Sequence, residues 1–431
     1  MNTPLLDLEA RLQARYQHLV EQHSAPAHPL AAGLRALPDG TSAFAATQAA
    51  WRFFKNPKVT LPTLCQPLKE HVEHSILAQA LDYVLVAHDW SWLNYQGHTT
   101  KRDRKANPQQ GLGYDLLSAL AISSQTGAPL APLSLALESE EGVYTSWEQT
   151  LKPAFPGHQE ALWAHVQAVE ALRLPARCVH IVDREADSVQ QFRDFSAAGY
   201  LCLIRAKEHQ YVEVEGRLVQ LRHLVSRLRF TRPRAVLYHG QPAQQGVAEV
   251  AIRLTRPYTK VRKGVREVIP GPPVSLRLIV SEVRSETGIL LSRWYLYTNV
   301  EERVSAKPIA LWYYWRWQIE CFYKLLKSAG WQLEDWQQES ASALVKRLAV
   351  VSMAAALVWA IQHCRDPEIE TLRSELVRLS GRQMKKRQPV TAPALLAGLW
   401  TLLSMLELLE RYTPDELQIL AQQARHIVRR P

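Results

Sequence analysis

The feature that most limits the fold of this chain is a series of short apolar segments between residues 82 and 207. In chain order they are β-like runs at 82–89, 114–123 and 129–139, a helical run from His158 to Leu172, a buried strand at 178–183, a helix at about 186–198, and a strand at 200–207. Three strands followed by alternating helices and strands predict a mixed α/β domain. This order is compatible with a ribonuclease-H-like fold.

The segments on either side of this series have a different character. Residues 1–75 are mostly helical in pattern, with breaks at prolines. After residue 207 the chain becomes rich in strands, arginine and turn residues, and helical patterns return after a strand at 293–299. We therefore divide the chain into five parts: a helical N-terminal domain (1–75), the first part of the α/β core (76–207), a β-rich basic insertion (208–292), the second part of the core (293–365) and a helical C-terminal region (366–431).

Positive charge is concentrated in one part of the sequence. The whole chain has a formal net charge of +10. From Arg205 to Arg266 there are 14 Lys or Arg against 4 Glu and no Asp, a local excess that equals the net charge of the chain. A concentrated excess of this kind favours a polyanionic partner, either nucleic acid or an acidic membrane surface.

Cysteine usage and hydropathy indicate a cytoplasmic protein with no membrane partner. The five cysteines are scattered, with no CxxC pair and no histidine at zinc-binding spacing, so neither a disulfide framework nor a zinc site is predicted. The N-terminus carries acidic residues early, unlike a secretory signal. The most apolar run, Leu348 to Ile361, has 14 residues, which is too short to span a bilayer, and we interpret it as a buried helix.

A polar stripe lies within the aromatic-rich segment 311–331. Tyr313, Arg316, Glu320 and Lys327 fall at offsets 0, 3, 7 and 14, which would place them on one face of an α-helix. A tyrosine, two cations and a carboxylate on one face suit the binding of phosphate and metal. The alternative is a solvated face, on which Arg316 and Glu320 form an ordinary i,i+4 ion pair.

Two further carboxylates follow β-like runs. Asp89 and Asp183 each end such a run, where α/β folds place ligand-binding groups. Together with Glu320 they could hold two Mg²⁺ or Mn²⁺ ions, since hard ions prefer oxygen ligands, and such a pair serves in-line displacement at a phosphodiester. The alternative for each aspartate is a turn or helix-capping residue. The segment VDREADS (182–188) favours the functional interpretation, because a structural turn rarely needs four charges.

Several motifs together resemble a known family. The segments HDWSWLNY (88–95), VDREAD (182–187) and Tyr313-x2-Arg316-x3-Glu320-x6-Lys327 are similar in order and type to the Tn-five-like DDE transposases of the insertion-sequence-four family, with their Tyr-Arg-Glu-Lys signature. Three other segments extend the resemblance over about 45–335: AAWRFFKNPKVT (49–60), LIRAKEH (203–209) and WYLYTNV (294–300). One departure is Trp90, where relatives commonly carry a small hydroxyl residue.

The resemblance implies a ribonuclease-H-like catalytic core interrupted by a β-rich insertion, with helical N- and C-terminal regions. It implies Asp89, Asp183 and Glu320 as catalytic ligands of two Mg²⁺ (or Mn²⁺) ions. The DNA contacts that it implies come from residues in three parts of the chain: Tyr313, Arg316, Lys327, Arg205, Lys207, and, in the N-terminal domain, Arg52 and Lys55. For Arg52 and Lys55 the residues alone suit equally well the basic rim of a core helix.

The function implied is cut-and-paste transposition of an insertion sequence, acting on double-stranded transposon ends and target DNA. In this family excision can pass through a DNA hairpin with a flipped base, and Trp294 is the candidate to hold that base, with a core tryptophan as the alternative. A homodimer on DNA, through the C-terminal helices, and a nucleoid-associated cytoplasmic location are also expected. Two rival functions remain open from the residues: a non-catalytic domesticated end-binding protein, and a two-metal nuclease without strand transfer.

Overall fold

The computed structural model describes residues 9–23, 42–238, 241–262, 265–382 and 389–428. The chain divides into two compact units. The first unit comprises Met1–Leu68, Trp92–Tyr114 and Phe322–Pro431, and the second comprises Lys69–Ser91 and Asp115–Cys321. The predicted mixed α/β class is confirmed, since a large mixed sheet is accompanied by helices.

Three helices form the described part of the N-terminal region: α1 (Ala10–His23), α2 (Ser42–Lys55) and α3 (Leu61–Ala78). In the first unit, α1 and α2 pack on the later helix α9 (Ala341–His363). His23 is fully buried at the end of α1, and its carbonyl accepts a hydrogen bond of 2.6 Å from the indole of Trp331. Residues 1–8 and 24–41 of this region lie outside the described residues.

The core of the sheet is built from the strands that precede residue 206. They are β1 (Tyr83–Asn94), β2 (Lys105–Asn107), β3 (Gly111–Ser123), β4 (Pro129–Ser139), β5 (Gly142–Thr145), β6 (Arg177–Val182) and β7 (Leu201–Arg205). The order in the sheet is β5-β4-β3-β1-β6-β7, with β2 on β3. The β1, β6 and β7 strands run parallel, whereas β3 and β4 are antiparallel.

The basic segment after residue 207 continues this sheet. Its elements are β8 (Tyr211–Val214), β9 (Arg217–Gln220), α6 (Leu221–Leu224), β10 (Arg234–Tyr238), β11 (Gln241–Leu254), β12 (Tyr258–Arg262), β13 (Val265–Ile269) and β14 (Val274–Ser285), followed by β15 (Leu290–Thr298). Because β15 pairs antiparallel with β7, the order continues as β15-β14-β11-β8-β9, and β10 pairs with β11. Only β12 and β13 form a separate pair among the described strands.

Helices lie between the strands of the second unit along the chain and follow the last strand. In the second unit, α4 (His158–Ala171) and α5 (Val189–Ala198) pack with the strands around a core that includes Phe192, Phe195 and Tyr297. The later helices are α7 (Ala306–Trp315), α8 (Gln318–Lys324), α9, α10 (Pro367–Leu379), α11 (Ala392–Arg411) and α12 (Pro414–Val428). Burial of these apolar faces is the main stabilising contribution in both units.

Two expectations about local structure are wrong. The β1 strand does not end at Asp89 but continues to Asn94, because Leu93 is buried and pairing with β3 goes on as far as Tyr95, whose amide donates to the Leu112 carbonyl at 3.0 Å. The segment from Tyr313 to Lys327 is not one α-helix. It is broken after Trp315 and ends in a π-helical turn at Leu325–Ala329.

The helix break has a clear cause in the backbone. The amides of Arg316 and Trp317 donate to the carbonyls of Tyr313 and Tyr314, three residues back, at 3.2 and 3.3 Å. Bonds of this spacing tighten the turn relative to an α-helix. Side chains that a continuous helix would align are therefore rotated with respect to each other.

Among the described residues, two helices are long and apolar enough to cross a membrane, by length and composition alone. In α9 the apolar window is 78% buried inside the fold, and in α11 it is 28% buried. The α9 helix has 23 residues, so it is longer than the apolar run from which it was predicted. Its buried residues agree with the prediction of a buried helix.

Candidate functional site

Asp89 lies on β1 in a partly enclosed environment, with 28% of its side chain exposed. Burial raises the pKa of this carboxyl to about 6, although the nearby Arg316 guanidinium acts in the opposite direction. One Asp89 oxygen, Oδ1, accepts the backbone N–H of Trp90 at 2.9 Å. The other, Oδ2, lies 3.2 Å from Nη1 of Arg316. Asp89 is thus a partly desolvated carboxylate whose charge is held by one arginine.

Arg316 connects Asp89 to Glu320. Its second terminal nitrogen, Nη2, is 2.5 Å from Oε1 of Glu320, and only 13% of the arginine side chain is exposed. The helix break allows this geometry, since Arg316 lies in the turn between α7 and α8 and Glu320 in the first turn of α8. The pair is therefore not a solvated surface pair, because a nearly buried guanidinium bridges two carboxylates from a strand and a helix.

Asp183 directly follows β6, as the sequence predicted, and caps the short 3₁₀ turn Arg184–Ala186. Its Oδ1 accepts the N–H of Glu185 at 2.8 Å. The capping role that was weighed against a metal role is thus present. One carboxylate oxygen still has capacity for a further partner, because an ionised carboxylate offers about four acceptor positions.

Tyr313 is the residue around which these groups meet. Only 5% of it is exposed. Burial raises the pKa of its phenol, the charge of Asp183 adds to the rise, and Arg316 and Arg205 oppose it. Arg205, at the end of β7, also hydrogen-bonds to the phenol. The charges of Asp183 and of the two arginines therefore all act on this tyrosine.

The carboxylates have the oxygen ligands that a hard divalent ion prefers, but they do not form a coordination site in this structure. Within the described ranges no three His, Cys, Asp or Glu side chains lie close enough to hold a metal ion together. Asp89 and Glu320 instead share the Arg316 guanidinium. Two carboxylates that already converge on one cation have the donor type that Mg²⁺ or Mn²⁺ requires.

Trp294 is not a buried core residue. It is partly exposed on β15, its ring packs edge-on to Tyr313 with 5.3 Å between centroids, and it stacks on Tyr314 at 6.5 Å and 26°. Tyr314 is 53% exposed. The Trp294 indole and Tyr314 line a cavity of about 290 Å³ together with Arg234 and Leu311. This aromatic cavity adjoins the carboxylate and arginine cluster through Tyr313.

The remaining predicted cations are distributed over both units. In the second unit Lys207 is exposed, and its backbone N–H donates to Oδ2 of Asp187 at 2.9 Å. Within the first unit, Lys327 donates to the carbonyl of Trp92 and lies 3.3 Å from Glu334. Arg52 in the same unit is exposed.

Lys55, in the first unit, has one acidic and one aromatic partner. It pairs with Glu339 at 3.0 Å, and its ammonium lies 4.0 Å from the ring centroid of Trp51. Trp51 is 46% exposed. A cation held over an exposed indole leaves both groups accessible to a ligand.

Sequence reasoning missed one pair beside Asp183. The Asp187 side chain is fully buried and lies 3.2 Å from Nη2 of Arg256, in addition to its bond from Lys207. It therefore ties the loop that carries Asp183 to the end of β7 and to the basic segment. The density of charge in VDREADS was a signal, but Arg256 is 69 residues away and no local pattern indicates the pairing.

A second missed feature lies behind Asp89. His88 is buried, and its Nε2 is 2.8 Å from Nδ1 of His180, whose Nε2 is 3.0 Å from Glu170. This row joins β1, β6 and α4. A single histidine in an apolar strand does not indicate, from the sequence, that it contacts a histidine on another strand.

Part of the chain is similar to a known family. Residues 157–357 match the family model described as a transposase DDE domain. The matched segment is less than half of the chain. This DDE domain match includes Asp183, Tyr313, Arg316 and Glu320, whereas Asp89 precedes it.

A comparison with curated proteins gave no match. Among solved structures, the chain is similar to one described as the cryo-EM structure of piggyBac transposase synaptic complex with hairpin DNA. The TM-score is 0.32 and the identity 10%, with 82% of this chain and 60% of that chain covered. The present chain thus spans 60% of the length of that solved chain.

Proposed function

We propose that this chain is a DNA transposase that moves an insertion sequence by cut and paste. The observation that carries the proposal is the Arg316 guanidinium, which bridges Asp89 and Glu320 beside Tyr313. Tyr313, Arg316 and Glu320 lie in the segment that matches the transposase DDE domain, whereas Asp89 precedes it. A strand carboxylate and a helix carboxylate around one cation are the arrangement from which a phosphodiester-cutting site can be made.

The proposed catalytic core is ribonuclease-H-like. Its support is the strand order β4-β3-β1-β6-β7, in which three parallel strands follow an antiparallel pair. In this core Asp89 comes from the central strand β1, and Asp183 from the end of the neighbouring β6. The basic segment 208–292 is then an insertion between the second aspartate and Glu320, and the five-part division of the chain is retained as part of this proposal.

Asp89, Asp183 and Glu320 would hold two Mg²⁺ or Mn²⁺ ions per site. When bound there, the ions supply activation of the attacking water and stabilisation of the leaving 3′ oxygen. Arg316 has to release at least one carboxylate for this to happen, and its guanidinium then turns to a backbone phosphate. Such an exchange agrees with its predicted role, since guanidinium groups match phosphate as well as carboxylate.

The proposed DNA contacts are of two kinds. One set of side chains binds backbone phosphates: Arg205, Lys207, Lys327, Tyr313, and the N-terminal Arg52 and Lys55. Phosphate contacts position the DNA without reading its sequence. Trp294 holds a base flipped from the duplex in a hairpin route of excision. The partly exposed indole, the stacked Tyr314 and the adjoining cavity support that role, because an unstacked base needs an aromatic surface.

The proposal also includes an oligomeric state and a cellular location. The protein acts as a homodimer on paired transposon ends and on target DNA, in the cytoplasm at the nucleoid. The net positive charge of the chain supports a DNA partner.

The test uses the purified chain, a fragment that carries the ends of its own element, a supercoiled target plasmid and Mg²⁺. We expect cleavage at the ends and a product in which the ends are joined to the target. Binding without cleavage would favour the non-catalytic end-binding protein. Cleavage without any joined product would favour a nuclease and would contradict the transposase assignment.

A further inference from the structure

A second cavity lies in the basic segment of the second unit, on the opposite face of the β14–β15 pair from Trp294. In the register of these strands Ser281 is paired with Trp294, and Glu282 is paired with Arg293. Successive side chains of a strand point to opposite sides of the sheet, so Glu282 and Arg293 lie on the side away from Trp294. The cavity has a volume of about 490 Å³, within the range of about 300–1,000 Å³ that is usual for ligand sites. Its lining includes residues from β11, β14 and β15 and from the segment 222–233.

One buried carboxylate organises two arginines along this cavity. Glu282 is 5% exposed. Its Oε1 accepts Nε of Arg293 at 2.7 Å, and its Oε2 accepts Nη2 of Arg284 at 2.7 Å. A single carboxylate compensates only one of the two guanidinium charges, and it holds both groups in fixed orientations. Arginines that are fixed in this way are suited to bind an anion, because little side-chain freedom is lost on binding.

The opposite wall combines a third cation with apolar surface. Arg222 is exposed, and its Nε donates to Gln220 at 2.7 Å. Val225, Leu228 and Phe230 line the cavity beside it. Three arginines and one glutamate give the lining a charge of +2. An apolar wall with a cationic rim fits a ligand that has both an aromatic or apolar body and an anionic group.

We propose that this cavity binds one nucleotide of a DNA strand, with the phosphate at Arg284 and Arg293 and the base against Phe230. The inference rests on the proposed function, and it adds a nucleotide site that is separate from the cavity at Trp294. An inorganic anion would leave the apolar wall without a partner. An uncharged apolar ligand would leave the excess arginine charge unpaired. A nucleotide satisfies both parts of the wall.

The experiment uses the full chain and a short 5′-phosphorylated thymidine oligonucleotide that contains 4-thiothymidine at its first position. After irradiation, cross-linked peptides are mapped by mass spectrometry. We expect labelling of the peptide that contains Leu228 and Phe230, and competition by thymidine monophosphate but not by thymidine. Labelling confined to other peptides would overturn the proposal. Equal competition by inorganic phosphate, with no effect of Phe230→Leu, would show a phosphate site only and would also overturn it.

Two variants alter the cavity in independent ways. Arg222→Gln removes one of the positive charges of the lining, and we expect about tenfold less labelling (about 1.4 kcal/mol), because the cavity then attracts the anionic nucleotide less strongly. Gly246→Val fills space, since a Cβ at that position would lie 3.5 Å from Phe230, and it should reduce labelling without a change of charge. Arg253→Gln is the matched control, because Arg253 is 54% exposed and pairs with Glu213 outside the cavity lining. Equal labelling of the three variants would contradict the proposal.

The outcome is separable from that of the proposed function. If Glu320→Gln abolishes cleavage while the Phe230 peptide is not labelled, the nucleotide site is wrong and the transposase assignment stands. If the peptide is labelled while Glu320→Gln cleaves normally, the nucleotide site stands and the catalytic assignment is wrong.

Discussion

At the scale of single residues, Arg316 has two partners whose negative charges would otherwise repel each other. The negative charge of Glu320 makes ionisation of Asp89 less favourable, and the guanidinium between the two carboxylates offsets this repulsion. The arginine is only 13% exposed, so its interactions are screened less by solvent than those of a surface pair. In the proposed function a divalent ion has the same electrostatic role.

Removal of Arg316 therefore provides a metal-dependent stability test. We expect Arg316→Ala to lower the melting midpoint in the absence of divalent ions, through a loss of about 1–3 kcal/mol, because two partly buried carboxylates lose their shared cation. Addition of Mg²⁺ should raise the midpoint of the variant more than that of the parent. Differential scanning fluorimetry measures both effects, with the exposed Lys307→Ala as the control. A variant that melts like the parent, or that does not respond to Mg²⁺, would contradict this account.

Buried histidines predict how stability depends on pH. Burial lowers the pKa of His165 from 6.5 to about 3, and the side chain is fully buried. Since the unfolded chain takes up the proton first, stability is complete above about 6.5 and falls as the pH drops from 6.5 towards 3. One such histidine contributes a slope of up to about 1.4 kcal/mol per pH unit.

We expect His165→Phe to flatten the decline of the melting midpoint between pH 7.5 and 5, measured by calorimetry. The phenylalanine cannot accept a proton, although it also loses the 2.6 Å hydrogen bond to Ser134 and so lowers stability at every pH. The slope of the melting midpoint against pH, rather than the midpoint itself, therefore tests the prediction. His209→Gln, at an exposed position, should leave the slope unchanged. An unchanged slope in His165→Phe would show that this site does not carry the effect.

At the scale of secondary structure elements, the sequence predicted the core strands well. The β4 strand has the predicted bounds, and β3, β6 and β7 differ by one to three residues at their ends. These strands are apolar runs bounded by turn residues, so burial alone specifies them. The α9 helix was also predicted, from the apolar run Leu348 to Ile361, but the observed helix extends beyond that run at both ends.

The site was less predictable, because it depends on local departures from regular structure. The four residues from Tyr313 to Lys327 have helical spacing, yet the chain turns at Arg316 and Trp317, and that turn brings Arg316 between two carboxylates. Nothing in the periodicity indicates bonds three residues apart at that point. Contacts such as Asp187 with Arg256 are similarly invisible, since they depend on how distant segments are folded together.

The Asp187 contact predicts that the loop after β6 is held by a buried ion pair. Asp187→Ala leaves Arg256 and the Lys207 N–H without this acceptor, and we expect a loss of about 3 kcal/mol in the free energy of unfolding. Chemical denaturation of the full chain measures it. Glu185→Ala is a control from the same loop, because Glu185 is 58% exposed, and it should change stability by less than about 0.5 kcal/mol. Equal effects of the two variants would mean that the buried pair does not hold the loop.

At the scale of the whole molecule, positive charge is the property that best fits a DNA partner. The chain carries 51 Lys and Arg against 41 Asp and Glu. Lys327 belongs to the first unit, whereas Arg205, Arg316 and the three acids belong to the second. In the proposed function each unit therefore carries predicted phosphate contacts.

Lys327 predicts a change in salt dependence. Lys327→Ala should weaken binding to the transposon end and reduce the slope of log affinity against log salt by about 0.9, the value for one lost phosphate contact. Fluorescence anisotropy at several salt concentrations measures the slope. Arg378→Ala removes a similarly paired cation in the first unit that is 77% exposed, and its slope should match that of the parent. If the Lys327 variant keeps the parental slope, the residue does not bind a phosphate.

The central claim is that Glu320 belongs to a catalytic site. Its most direct test is the rate of cleavage at the transposon ends in Mg²⁺, compared for the parent, Glu320→Gln and the exposed control Glu302→Gln. We predict that Glu320→Gln binds the ends with near-parental affinity and cleaves at least about 100-fold more slowly, as expected for loss of a catalytic ligand, while Glu302→Gln cleaves like the parent. Cleavage by Glu320→Gln at the parental rate would contradict the account.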